Sequence, residues 1–301
     1  MIQIRHVRVL VWLSCVVSGS ALAHAKPVSV YAGTIGNEPV ELVLIHDHQR
    51  NAISGHLFDQ NTGRYLSLEE TPHQEGDNLL INLMTNPRMP GAALLLPGMR
   101  SAQGNLDGQH IDLQNRHAQA LKLKRVGYFP TDVRESYDGV LLQPYADTDF
   151  VFRVHARRAS GVHGGQVSRI DVTRRDGTQV QVLEDLDFVF FGSETLHFAD
   201  FDGDGIIDFR VTPRMRRQSD NALVSGNFRY YLYRHDQGGY RRHTALEALG
   251  AQGPLRVAPN GVISLRPDKG VDYRAGTIEW RHYRFTTADT LELERTSQEN
   301  F

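Results

Sequence analysis

From Val28 onward the chain is built of short runs in which apolar and polar residues alternate, divided at close intervals by turn residues. A period of two is the pattern of strands with one buried face, and it leaves little room for long helices. In the first part the runs are Val28 to Ile35, Val40 to Ile45, Ala52 to Phe58, Tyr65 to Leu68, Leu79 to Leu83, Ala92 to Leu95, His110 to Leu113 and Ala120 to Val126. Gly36-Asn37, Asn61-Thr62-Gly63, Glu75-Gly76-Asp77-Asn78 and Leu106-Asp107-Gly108 separate them, each with residues that tolerate positive φ. The expectation is an antiparallel β meander.

The pattern breaks between Gly127 and Asp138 and then resumes. Phe150 to Val154, Val167 to Thr173 and Gln179 to Leu183 read as strands, the last two joined by a hairpin turn at Arg175-Asp176-Gly177. Phe228 to Tyr233, Val262 to Leu265, Gly276 to Phe285 and Thr290 to Glu294 follow as strands. One short helix is expected from Thr244 to Leu249, capped by Thr244 with Glu247 three residues on and closed by Gly250. The predicted class is mainly β, an antiparallel sandwich or barrel-like fold in two β domains, with the helix in the second. Residues 26–127 form the first domain and residues 128–301 the second.

Residues 1–25 stand outside that scheme. Arg5, His6 and Arg8 precede an apolar run from Val9 to Val17, and small residues lead to Ala23 and Ala25. This is the layout of a secretory signal peptide, with cleavage after Ala23 or, preferably, Ala25. The alternative of a lipoprotein signal at Cys15 meets a poor lipobox in Trp12-Leu13-Ser14-Cys15. Export places the protein in the periplasm, and no later stretch has the run of ~18 apolar residues that a membrane-spanning helix needs. Cys15 is the only cysteine, so the processed chain uses neither disulfides nor thiolate ligands. With 33 basic against 35 acidic residues, bulk charge implies no nucleic-acid partner and no polybasic membrane anchor.

The strongest motif is Asp200-Phe201-Asp202-Gly203-Asp204-Gly205-Ile206-Ile207-Asp208. Carboxylates at alternate positions, a glycine at the sharp bend and a further aspartate beyond it supply the hard oxygens that Ca2+ requires at ~2.3–2.6 Å. The expected ligands are Asp200, Asp202, Asp204, the carbonyl of Ile206, and Asp208. The plainer alternative is an acidic surface turn. An EF-hand is disfavoured because the twelfth position is Val211, and because Leu196-His197-Phe198 and Ile207 to Val211 read as flanking strands. With Phe191-Gly192 upstream, the segment looks like one FG-GAP repeat of the integrin propeller type, present once.

Weaker signals surround it. His46-Asp47-His48 has a spacing that can bind zinc, though a wet strand end explains it as well. Pro213-Arg214-Met215-Arg216-Arg217 opens a polar stretch reaching Ser225-Gly226 and Tyr230, and its basic loop suits docking of an acidic partner or an anionic glycan, with a solvated loop as the plainer alternative. Arg214, Arg216, Arg217, Ser225, Gly226 and Tyr230 are therefore the candidate partner-binding residues. No Gly-x-Ser-x-Gly elbow, His-Glu-x-x-His or P-loop occurs, and no catalytic residue is assigned.

Ile170-Asp171-Val172, Ala199 to Gly205, Gly226 to Tyr233 and His243 to Leu249 together resemble a family of bacterial periplasmic β proteins. Its best-known member is an immunity protein that inhibits a lysozyme-like peptidoglycan hydrolase delivered by a type IV secretion system. Tyr31 to Gly36 and Ser54 to Phe58 look like the small β domain that often precedes this unit. The resemblance implies a non-enzymatic calcium-binding protein whose partner is a peptidoglycan hydrolase. Related lysozyme inhibitors insert a Ser-Gly-x-x-Tyr loop; here Ser225-Gly226 is followed by Tyr230, one residue further on. A calcium-stabilised module that binds cell-envelope glycan or peptidoglycan is the alternative function, and a hydrolase with unassigned carboxylates a third.

Overall fold

The computed structural model describes residues 26–300 except 48, 51, 69–72, 76–77, 87–88, 99–103, 146–148, 163, 215–227, 259–260 and 273. The signal-peptide reading of residues 1–25 lies outside them. The first nine strands are β1 (Val28–Ile35), β2 (Glu38–Asp47), β3 (Ala52–Asp59), β4 (Arg64–Leu68), β5 (His73–Glu75), β6 (Asn78–Asn86), β7 (Met89–Pro97), β8 (Asn105–Asp112) and β9 (His117–Phe129). They pair in the order β4-β3-β2-β1-β9-β8-β7-β6-β5, and β4 also pairs with β6. That last pairing closes β1–β4 and β6–β9 into an eight-stranded antiparallel barrel.

Alternation decides what fills it. Val40, Leu42 and Leu44 of β2 point inward with Ile81 and Leu83 of β6, Leu94 and Leu96 of β7, and Leu121 and Leu123 of β9. Leu42, Leu44, Ile81, Leu83, Leu94 and Leu96 have no exposed surface at all. An eight-stranded barrel is just wide enough for side chains to fill, and leucines fill this one. The segment Leu106-Asp107-Gly108 is not the turn its residues suggest but part of β8. A Cβ on Gly108 would lie 2.2 Å from the Leu95 carbonyl oxygen, so the glycine serves close strand approach and not a bend.

The barrel does not end at Gly127. Strand β9 pairs with β1 as far as Phe129, and Pro130 then lets the chain leave. The second part has β10 (Tyr137–Gln143), β11 (Phe150–Arg158), β12 (Gly165–Arg174), β13 (Gln179–Leu183) and β14 (Phe188–Phe190) in one sheet. A short 3-10 turn at Gly192–Glu194 leads to β15 (His197–Ala199), β16 (Asp208–Val211), β17 (Arg229–Arg234) and β18 (Gly239–Arg242), a second sheet. After α1 (Thr244–Gly250), a third sheet holds β19 (Leu255–Val257), β20 (Ile263–Leu265), β21 (Val271–Asp272), β22 (Thr277–Thr287) and β23 (Thr290–Asn300). The helix is where the sequence places it, but its N-cap is His243, whose ring nitrogen accepts from the Leu246 N–H, and not Thr244. Glu247 bonds Arg229 and Arg242 instead of closing a capping box.

One large core joins the two parts. Val28, Val30, Val43 and Phe129 on the outward barrel face pack with Leu141, Phe152, Phe190, Phe209, Tyr231 and Tyr240. Phe58 of the barrel meets Leu142 and Val151, and Glu41 pairs with Arg153 at 3.3 Å beside them. Strand β17 is buried on both faces: Tyr231 and Tyr233 enter the large core, while Tyr230 and Leu232 face Leu246 and Leu249 of α1 and Ile263 and Leu265 of β20. Among the described residues no helix is long and apolar enough to cross a membrane.

Candidate metal centre

The aspartate loop lies between β15 and β16, as the flanking apolar residues imply. Gly203 and Gly205 have φ of +76° and +87°, left-handed values that let the backbone fold around its own carboxylates. Asp200 accepts from Gly203 N at 2.7 Å with Oδ1 and from Gly205 N at 3.0 Å with Oδ2. Asp208 accepts from Phe201 N at 2.9 Å and from Tyr233 N at 2.8 Å, which fastens the loop to β17.

Asp200, Asp202 and Asp208 each bring a carboxylate oxygen within 4.8 Å of the others. Two oxygens on opposite sides of a calcium ion, each at ~2.4 Å, stand about that far apart, so the spacing fits the ion. Asp204 is exposed and takes a different role. Its Oδ1 accepts from Ile206 N at 2.7 Å and its Oδ2 lies 3.7 Å from His235 Nε2. Ile206, whose carbonyl is the expected backbone ligand, is partly buried with its side chain against the large core.

The electrostatics ask for a cation. Asp208 has no exposed surface, and burial, then the Asp202 charge, push its carboxyl up to about 8. Burial also raises Asp202, to about 6, with help from Asp204 and Asp200 and against the pull of Arg234. Arg234, itself buried, sits 3.1 Å from Asp202 and also bonds the Ala288 carbonyl and Asp289. Sequence reasoning missed Arg234 because nothing in the order of residues places the end of β17 against this loop. One guanidinium beside three carboxylates leaves excess negative charge at low solvent access, which is costly without a further cation.

The remaining candidates divide. Tyr230 is 1% exposed, with its ring 5.1 Å from Phe201, so it is a core residue and is withdrawn from the partner-binding set. The double-sided burial of β17 is the reason. Arg214 is partly exposed at the foot of the polar stretch, 3.6 Å from Asp187. Arg216, Arg217, Ser225 and Gly226 lie outside the described residues, as does His48 of the His46-Asp47-His48 pattern. Asp47 is engaged by Lys26 at 3.1 Å and by the backbone N–H groups of Gln49 and Arg50. No family model, curated protein or solved structure matches the chain, so the centre is read from its own geometry.

Proposed function

We propose that the chain is a periplasmic, non-enzymatic β protein with one structural calcium ion, acting as an immunity protein or inhibitor of a peptidoglycan hydrolase. The convergence of Asp200, Asp202 and Asp208 around a fully buried carboxylate carries the calcium part. The ion neutralises the loop and so holds β15, β16 and β17 in one arrangement. At ~1 mM calcium and a dissociation constant of ~0.1 mM, typical of extracellular modules, it stabilises the fold by about 1.4 kcal/mol. The inhibitory part rests on the family resemblance and on the arginines Arg214, Arg216 and Arg217, of which Arg214 is exposed beyond the far end of β16, beside Asp187. A guanidinium suits a catalytic carboxylate of a hydrolase.

Titration calorimetry and thermal melts with calcium, with magnesium and with chelator test the first part. Calcium heat and a melting shift abolished in an Asp200→Ala, Asp202→Ala double variant are expected; an unchanged response in that variant overturns it. For the second part, Arg214→Ala, Arg216→Ala and Arg217→Ala variants are compared with the parent as inhibitors of a lysozyme-like peptidoglycan hydrolase. A parent that inhibits no such enzyme, or variants that all inhibit as well as the parent, would end the inhibitor reading.

A further inference from the structure

Strand β23 is an edge strand of 11 residues, and among the described residues it pairs with β22 alone. All of it is exposed except Leu291 and Ser297, which are half-buried. Such an edge presents a row of backbone N–H and C=O groups that a further strand can take up. Glu294 is a bulge: it alone of β23 has no partner in β22, and it falls between the pairs Tyr283–Leu293 and His282–Arg295. Residues directly opposed in an antiparallel pair share a face and a hydrogen-bonding sense, and both alternate along the strand. His282 and Arg284 of β22 therefore agree, so their partners Arg295 and Glu292 agree too, although three positions apart.

That spacing makes the edge complementary to itself. A two-fold axis between Leu293 and Glu294 sets Glu292 opposite Arg295 of a second copy, twice, with every opposed pair outside the bulge alike in sense. Sliding the copies one step either way sets Arg295 against Thr290, or Glu292 against Ser297, and loses both charge pairs. Neither Glu292 nor Arg295 has an ion-pair partner among the described residues, whereas Glu294 lies 3.5 Å from Arg284 and Glu299, beyond the paired segment, bonds Trp280 Nε1. Arg284, Glu292, Glu294 and Arg295 cancel within each copy, so net charge does not hold two edges apart. On the other face Leu293 is 53% exposed, opposite Tyr283, and beside the axis it would meet its own copy. Charges and bulges ordinarily guard an edge against pairing; here both select one register. We propose that two copies of the chain associate through β23 as an antiparallel, two-fold symmetric dimer. The pairing rests on neither the calcium nor the inhibitor reading.

Sedimentation equilibrium of the full processed chain over a range of concentrations, in calcium-containing buffer, measures the association. A reversible monomer–dimer equilibrium is expected. Each opposed pair occurs twice, so Arg295→Glu or Glu292→Arg turns two attractions into two repulsions and is expected to weaken dimerisation at least ~10-fold. Mixed in equal amounts, the two variants restore both pairs and should form a heterodimer with nearly the parent's affinity. Leu293→Lys, on the opposite face, should also weaken the dimer, because two like charges then meet at the axis. Thermal melts show that each variant is folded. A parent that stays monomeric at every concentration overturns the pairing, and so does a dimer that both charge reversals leave unchanged. Reversed variants that separate alone and fail to associate when mixed would overturn it as well.

Discussion

The barrel and the unit that follows it solve burial in opposite ways. Inside the barrel, Leu42, Leu44, Leu94 and Leu96 interlock, and apolar side chains fill the space that the hydrogen-bonded strands enclose. The second unit buries Gln143, Asp208, Arg234 and His243 among its aromatic residues. Each needs a named partner: Gln143 bonds the Gly192 carbonyl and Leu196 N, and Asp208 bonds Phe201 N and Tyr233 N. A leucine core tolerates exchange of one apolar side chain for another, whereas a buried polar network fails when a single member is lost. Stability in the barrel should thus be insensitive to ions, and stability in the second unit should depend on them.

The largest expected effects break this comparison directly. Leu94→Ala in the barrel should cost ~2–5 kcal/mol, as buried leucine truncations do, and should leave the calcium-induced melting shift intact. Asp208→Ala should cost ~2–6 kcal/mol, because it strands the buried Phe201 and Tyr233 N–H groups at ~1–3 kcal/mol each, and should remove the shift. Denaturant unfolding with and without calcium measures both. A calcium shift that survives Asp208→Ala but not Leu94→Ala would invert the assignment of the two regions.

Much of the barrel was legible because its physics is one-dimensional. Alternation along β1 and β2 names the inward residues before any partner is known, and β1 begins and ends where the pattern does. What was not legible depends on neighbours distant in sequence. Gly108 looked like a turn because Asp-Gly is a turn pair, yet the Leu95 carbonyl in the adjacent strand is what requires glycine. Tyr230 looked available because it follows Ser225-Gly226 near the spacing of the inhibitor loop, and the packing of α1 and β20 shows its side of β17 to be dry. The aspartate loop was visible as a set of ligands, but the approach of His235 to Asp204 and of Arg234 to Asp202 follows from tertiary structure.

The next effect concerns the seam between the regions. His56 sits on the outward barrel face beside Val43, fully buried, with its ring 5.9 Å from that of Tyr65. Burial drives its pKa from 6.5 down to about 3. Below pH 6.5 the unfolded chain takes up a proton that the folded chain refuses, so stability falls with pH until about pH 3. Between pH 6.5 and 4.5 the loss should approach ~2.3 kcal/mol. Asp202 and Asp208 act in the opposite direction in calcium-free protein, since their raised values favour the folded state as they protonate. Urea unfolding of the parent and of His56→Phe across this range separates the two, because only the histidine contribution differs between them. Parallel pH profiles would show that His56 is not the acid-sensitive element of the seam.

A smaller effect is expected where a barrel turn touches Arg175 of the second unit. Gly63 has φ +65°, and a Cβ there would lie 2.5 Å from the Arg175 Cβ. Gly63→Ala should cost ~1–2 kcal/mol from left-handed backbone strain and from the forced shift of Arg175. Urea midpoints and thermal melts of the variant measure the loss, and a variant as stable as the parent would show that the turn absorbs the added methyl.

The smallest effect tests whether the second unit's dependence on specific polar partners extends to its one helix. His243 is buried, accepts from Leu246 N at 3.1 Å through Nδ1, and packs its ring edge-on to Phe285 with centroids 5.3 Å apart. Thr244, the residue whose type favours a cap, is exposed and makes no cap bond. His243→Ala should therefore cost at least ~1 kcal/mol, the usual value of a lost N-cap acceptor, while Thr244→Ala should stay within ~0.5 kcal/mol of the parent. Urea midpoints of the two variants decide. Equal losses would mean that capping chemistry follows residue type here, and a larger loss for Thr244→Ala would return the cap to the threonine and weaken the contrast drawn between the two halves.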